Sequence, residues 1–353
     1  MPKHALWVIT LNLLVLTVGC SKIWPLSDNN TLSNLQSQSQ SQSQSQNKPT
    51  AAETLQGLIG LPLPLPPFSK AVPTDITQVE QVVVDLINED RRKAGLPLVA
   101  WDETAANSAR QHVASEANNG FISHWGLEGE KPQRRYTLAG GLDAVDENES
   151  VTLWLEGGFQ GVSKEQLQSI VTEHQSAMVN ELPPNDGHRK NILSPHHTGV
   201  GVAIVVGKYG VAMAQEFTNH YSDITPLPHT ATPGATIILK GRIDKGYQIK
   251  GIYGVWEPLP QPMTREQLSQ THSYSDPSWD NLHFFAKPQG KGYYISTPAG
   301  KVSAQNVSVD NLGNFSISVP LVNSHALDYI MVEIAPDTNP KDAFYAAQFV
   351  IKL

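Results

Sequence analysis

Cysteine is nearly missing: the 353-residue chain has one, Cys20. One thiol cannot close a disulfide within the chain, so a disulfide-stapled scaffold is excluded. Cysteine-rich zinc sites go with it, which leaves His, Asp and Glu as the metal ligands on offer. Charge is scarce too, at 16% of residues against about 25% in an ordinary soluble domain. Basic residues are in deficit, 25 Lys+Arg to 33 Asp+Glu, and no basic run occurs. Nucleic acid is therefore an unsuitable partner. The N-terminal apolar run, Ala5 to Val18, is about fourteen residues, short of the roughly 20 that span a bilayer. What is present is 40% hydrophobic residues, enough for real cores, and a length that suits about two domains.

Lys3 and His4 before that apolar run, and Gly19-Cys20 after it, have the layout of a secretory signal over residues 1–19. A short anchor that stays attached is the alternative. Thr17-Val18-Gly19-Cys20 resembles the bacterial lipoprotein signal, with Thr17 where that signal prefers Leu. The resemblance implies cleavage before Cys20, acyl chains on it, and a bacterial protein held at an envelope membrane through a lipid anchor. Several acyl chains anchor stably where one is marginal. Residues 20–74 then form a tether. The Ser-Gln alternation of Ser37 to Gln46 cannot bury a core, and Leu61-Pro-Leu-Pro-Leu-Pro-Pro67 is an extended, semi-rigid segment.

A first domain is expected over residues 75–222. Thr77 and Glu80 read as a capping box, and Val79, Val83 and Leu86 follow the helical period until Gly95 stops it. A second helix starts at Asp102, buries Ala105, Ala109, Val113 and Ala117, and ends at Asn118-Asn119-Gly120. A third opens on the pair Ser163 and Gln166 and ends before Pro183-Pro184. Leu167, Ile170, His174, Met178 and Glu181 share one of its faces, since each residue advances roughly 100°. A His and a Glu in an apolar stripe need partners, because burying them unpaired is costly. Gly199–Val206 and Gly210–Phe217 read as a hairpin, and helices followed by a strand pair indicate α+β. By the same spacing His112 lies among core residues and reads as structural, and His196-His197 after Pro195 read as an exposed turn.

The order of motifs is more specific. Asn88-x-x-Arg91, Ala94-Gly95-Leu96, Ala109-x-x-His112-Val-Ala114, Phe121-Ile-Ser-His124, Glu147-Asn148, Gly187-His188-Arg189 and Val200-Gly201-Val202 follow one another. This succession resembles the CAP superfamily (cysteine-rich secretory, antigen 5 and pathogenesis-related proteins) in its cysteine-poor bacterial form. The resemblance implies a three-layer α-β-α sandwich with a cleft lined by two His and two Glu, which binds a divalent metal such as zinc in some members. It assigns His124 and His188 to the histidines and Glu147 to one glutamate. Asp146 stands where the family has Gly; should that position need a positive φ, Asp tolerates it better than most residues, and Glu149 is the alternative to Glu147. Met178-x-x-Glu181 stands for the family's aromatic-x-x-Glu, so Glu181 is the second glutamate, with Glu173 behind it.

Two function classes remain open. One is a binding protein for a small lipid, a metal or an envelope polymer. The other is a hydrolase in which His124 and His188 hold a metal and Glu147 or Glu181 is the catalytic base on a bound water. A hydrogen-bonded His/Glu network that only holds the cleft together is the bland reading. No Gly-x-Ser-x-Gly elbow and no His-Glu-x-x-His occurs, so neither a serine hydrolase nor a local zinc motif is indicated.

Residues 233–353 change character. Ala235–Lys240, Tyr247–Tyr253, Asn314–Val319, Tyr329–Ile334 and Phe344–Leu353 read as short strands of an immunoglobulin-like β-sandwich. Between them lie Trp256, Tyr274, Trp279, Phe284, Phe285, Tyr293 and Tyr294. Exposed together they would stack on envelope glycan, and buried they would fill the core.

Overall fold

The computed structural model describes residues 16–17, 76–153, 162–207, 210–271 and 273–353. Cys20, the Ser-Gln tract and the proline segment lie outside these residues, as does most of the expected signal. No helix among the described residues is long and apolar enough to cross a membrane.

The first half is a helix–sheet–helix stack. Its helices are α1 (Ile76–Lys93), α2 (Glu103–Asn119), α3 (Pro132–Leu138), α4 (Lys164–Val179) and α5 (Gly187–Ile192). Its strands are β1 (Ala100–Trp101), β2 (Ala144–Leu153), β3 (Gly199–Gly207) and β4 (Gly210–Asn219). The sheet runs Leu16–Thr17, β2, β4, β3, β1, with Leu16 and Thr17 antiparallel to Val151 and Ser150. Strand alternation sends Val200, Val202, Ile204, Val211, Met213 and Phe217 to one face, where α1, α4 and α5 add Val83, Ile87, Leu167, Met178 and Ile192. The opposite face offers Ala203, Ala212 and Ala214 to Ala109 and Val113 of α2. Small residues let α2 come very close. A Cβ on Gly201 would sit 1.9 Å from the Ala106 nitrogen, so glycine is required there.

Local signals hold at most helix ends. Asp102 caps α2 by accepting from the Ala105 N–H, and Gly120 closes it at φ 71°. Ser163 and Gln166 form both bonds of a capping box at α4. The expected Thr77/Glu80 box is not what Glu80 does. Its buried carboxylate instead accepts from the Ile204 N–H and pairs with Arg110, because the sheet, not the helix end, is its neighbour. Arg91 is fully buried and donates to the carbonyls of Pro97, Ile192, Ser194 and His197. Asn88 brackets the Val99 peptide with a donor and an acceptor.

The second half is β-rich. A three-stranded sheet, β12 (Asn314–Pro320), β6 (Thr236–Ile243) and β5 (Ser222–Ile224), faces a five-stranded one. The latter orders β11 (Gln305–Asn306), β8 (Leu282–Lys287), β7 (Tyr247–Pro258), β13 (Ala326–Pro336) and β14 (Phe344–Lys352). Leu239, Ile317, Ile252, Phe284, Ile330 and Phe349 fill the space between. β9 (Tyr294–Thr297) and β10 (Gly300–Ser303) form a separate hairpin, whose Ile295 and Val302 pack against the cluster of Tyr253, Leu282 and Phe285. Among the described residues between β7 and β8 the chain is irregular apart from the short α6 (Arg265–Leu268) and one turn of 3-10 helix at Trp279–Asn281. Tyr274, Phe284 and Phe285 are buried and Trp256 and Trp279 half-buried, while Tyr293 and Tyr294 stay exposed. The aromatic run is thus divided between core and surface and forms no single exposed platform.

Candidate functional site

Strand β2 carries the site because both of its faces are polar. Glu147 and Glu149 point with Val145 and Val151 toward α2 and α3, whereas Asn148, Ser150 and Thr152 point toward α4. Asp146 lies in this extended strand opposite Phe217. The positive-φ turn allowed for there does not occur; Gln289 is the non-glycine with positive φ among the described residues.

On the α2/α3 side a buried cluster forms. His124 Nδ1 lies 2.9 Å from Glu147 Oε1, and Arg135 Nη2 donates to Glu147 Oε2 at 2.7 Å. Arg135 also donates to the His124 carbonyl at 2.8 Å, fixing the loop that carries the imidazole. His112 and Glu116, one helical turn apart on α2, meet the same cluster. His112 Nε2 is 2.8 Å from Glu149 Oε1 and 2.7 Å from the Ser123 carbonyl, and Glu116 accepts from the Ser123 N–H at 2.9 Å. Glu216 on β4, opposite Glu147, accepts from Ser108 at 2.8 Å. The carboxylates Glu116, Glu147, Glu149 and Glu216 are each at most 2% exposed. Arg135 is the fixed cation beside them, paired with Glu147.

This imbalance sets the protonation. Burial opposes the charge on Glu147, yet Arg135 and the two histidines outweigh it and hold its carboxyl down at about 2. Burial pushes Glu116 well above the carboxylate range, and the neighbouring Glu149 and Glu147 add to that. Glu216 is raised in the same way, by burial and then by Glu147. Burial alone would lower Arg135, but Glu147 and Glu216 raise it.

Could the cluster hold a metal? His112, Glu147 and Glu149 offer ligand atoms that all lie within 4.8 Å of one another. Both oxygens of Glu149 are buried without a hydrogen-bond donor, an arrangement that a cation would complete. A nitrogen and several carboxylate oxygens suit zinc or manganese. A cation on His112 Nε2 would take the place of the N–H now aimed at the Ser123 carbonyl, with the ring proton carried on Nδ1 instead. The residues fit.

The other expected pair sits on the α4/α5 side. Glu181 Oε1 lies 2.5 Å from His188 Nδ1, and Glu181 Oε2 accepts from the N–H groups of His188 and Arg189. His188 Nε2 is buried with no hydrogen-bond partner. The four residues assigned by resemblance thus come as two His–Glu pairs that approach β2 from opposite layers. Asn148 and Asn191 connect them: Asn148 donates to the His188 carbonyl, and Asn191 to the Glu147 carbonyl and Asn148 Oδ1. Glu173 is exposed and stays apart.

Other histidines correct the sequence reading. His174 is buried, its ring bonded to Ser150 and Thr152, and burial lowers it to about 4, so it is a neutral core group. His196 and His197 are buried, not an exposed turn. His196 stacks on Phe344 of the β-rich half with ring centroids 4.0 Å apart, and His197 stacks at 5.2 Å on Phe217 of β4. His112 does more than pack, since it faces two carboxylates. The available signal for it was the i,i+4 pairing with Glu116 and the alternation Glu147-x-Glu149, which only becomes visible once β2 is known as a strand.

The β-rich half reaches into the site. The Tyr274 hydroxyl accepts the Glu147 N–H at 3.1 Å, and its ring meets the His124 ring edge-on at 5.0 Å. Tyr274 is itself 5% exposed.

Comparison with known proteins agrees with this architecture. The profile of the cysteine-rich secretory protein family (CAP) matches residues 84–219. The uncharacterized protein YkwD of Bacillus subtilis is 28% identical over 147 residues, 42% of this chain and 49% of that protein. An extracellular protein containing an SCP domain from Bacillus anthracis is 25% identical, with TM-score 0.33, over 43% of this chain and 45% of its own. An outer surface protein of Borrelia burgdorferi is 16% identical, also at TM-score 0.33, over 42% of this chain and 98% of its own. The chain spans about half the length of the two Bacillus proteins. Residues 84–219 have the CAP domain fold, and a β-rich region follows it.

Proposed function

We propose that the protein is an extracytoplasmic CAP-domain protein that binds a divalent cation at His112, Glu147 and Glu149. In this reading Cys20 is lipidated, residues 20–74 are the tether, residues 75–222 are the binding head, and residues 233–353 are a β-sandwich docked on it. The observation that carries the reading is Glu149, a buried carboxylate with no donor on either oxygen and a histidine nitrogen 2.8 Å away. Leaving such a group uncompensated is costly, and a cation removes the cost. His124 orients Glu147, and Arg135 keeps it ionised. Hydrolysis is the weaker reading, because a carboxylate held down at about 2 is a poor base for a bound water.

Elemental analysis of the purified full chain tests the proposal. One zinc or manganese ion per chain is expected, lost in Glu149→Gln and in His112→Ala and kept in His188→Ala. Absence of stoichiometric metal after incubation with either ion, followed by desalting, would sink it. For the anchor, detergent-phase partitioning of the protein from cells should be abolished by Cys20→Ala.

A further inference from the structure

The cluster is closed to solvent, and residues of the β-rich half close it. Tyr274 lies over His124 and Glu147, and the chain on either side of it is tied to the loop that presents His124. Ser123 Oγ donates to the Thr271 carbonyl at 2.7 Å, and Trp125 Nε1 to the Ser273 carbonyl at 2.9 Å. Lys131 Nζ donates to the Ser275 carbonyl at 2.9 Å and pairs with Glu257 at 2.6 Å. Further along, the Met263 N–H donates to the Leu127 carbonyl at 2.8 Å. The two halves are also joined elsewhere, on regular structure. Arg134 of α3 donates to the Val350 and His229 carbonyls, the Val350 N–H donates to Thr137, and His196 stacks on Phe344.

These two zones differ in kind. The second sets strand β14 against helix α3, with core on both sides. The first is an irregular connection between β7 and β8, held mostly by single side-chain bonds to main-chain carbonyls and anchored by Leu268 and Tyr274. Long connections with little regular structure are where proteins place movable parts. Separate attachment lets such a segment lift while the β-sandwich stays docked.

We propose that the described parts of this connection, Leu259 to Thr271 and Ser273 to Ser278, with Tyr274 as plug, form a strap that gates the cluster. Lifting Tyr274 breaks its bond to the Glu147 N–H and uncovers His124, and with it the way to His112 and Glu149. The gate rests on the cation reading only for the identity of what passes; the closure itself stands on the contacts above.

The test has one arm without metal and one with it. Full-length protein is treated with diethyl pyrocarbonate, and acylation of each histidine is followed by peptide mass spectrometry. His220, whose side chain is 66% exposed, reports the reagent, and His174, in the core, reports unfolding. In Tyr274→Ala, and in the double variant Ser123→Ala/Trp125→Phe, His124 and His112 should react at least tenfold faster than in the parent, with His220 and His174 unchanged. Unchanged rates at His124 and His112, or equal acceleration at His174, would overturn the gate. The second arm follows Zn²⁺ uptake with a fluorescent indicator, and uptake should quicken at least tenfold in the same variants. If no form takes up Zn²⁺ while acylation behaves as expected, the cation reading fails and the gate stands. Zn²⁺ uptake at one rate in all forms would overturn the gate as a control on entry.

Discussion

Two buried carboxylates, one in each half of the molecule, make an instructive pair. Asp328 in the β-rich half is fully used: Oδ1 meets His283 Nε2 at 2.8 Å and Oδ2 accepts the Val322 N–H at 2.9 Å. Glu149 in the CAP-fold half has no donor on either oxygen, although both residues are equally hidden. A satisfied buried acid belongs to the scaffold. An unsatisfied one, crowded by three more glutamates, is the feature on which the proposed cation site rests. The rest of each half agrees. The sandwich is filled by aliphatic and aromatic side chains, whereas the space under α2 holds histidines, glutamates and one arginine.

The largest expected effect tests whether the crowded half depends on its cation. Arg135→Met leaves Glu147 buried without its guanidinium, and breaking such a pair costs about 3–5 kcal/mol. Urea unfolding should show that loss; a loss below about 1 kcal/mol would mean the cluster is more hydrated than its burial implies.

A second measurement looks for an exception in the well-satisfied half. Burial raises Glu333 to about 7 from an ordinary value of 4.5, with the Tyr253 hydroxyl 2.7 Å away. The unfolded chain releases this proton near 4.5, but the folded chain keeps it to about 7, so folding binds the proton across that window. Stability is therefore undiminished below pH 4.5 and falls as pH rises to about 7, by roughly 3 kcal/mol in all. Glu333→Gln should remove this slope. Unfolding midpoints of the two proteins at pH 4.5 and 7.5 decide it, and parallel curves would contradict the assignment.

The smallest effect bears on the comparison most directly. In the presence of chelator, Glu149→Gln replaces a buried carboxyl group that lacks donors by an amide, so it should stabilise the fold by about 1–2 kcal/mol. With saturating zinc the order should reverse. A destabilised variant in chelator would put Glu149 in the same class as Asp328.

Parts of this were legible in the sequence. Asp102, Gly120, Ser163 and Gln166 act at helix ends through bonds between residues close in the chain, which is why their spacing betrays them. The four residues of the resemblance meet as His124–Glu147 and His188–Glu181, a pairing that the motif order did not specify. Asn88 and Arg91, also part of that motif order, turn out to be staples on distant carbonyls. Strand β2 was missed because Asp146 to Ser150 is polar on both faces, and period-two hydrophobicity cannot reveal a strand that buries glutamates. With β2 unseen, the meeting of His112 with Glu149 was out of reach, as was the α2/α3 cluster as a whole. His196 and His197 misled for a related reason: His196 is met by Phe344 and Asp342, far along the chain, and His197 by Phe217 and Asn219 of β4. No local pattern announces that Tyr274 will end up over His124.

The grip of Arg91 has a mechanical side. Its guanidinium spans α1, the turn at Pro97 and the carbonyls of Ile192, Ser194 and His197, and His196 in that last stretch is stacked on the sandwich. One side chain therefore ties the last turn of α1, the turn at Pro97 and the stretch after α5 into a single knot, and what loosens Arg91 loosens all three at once.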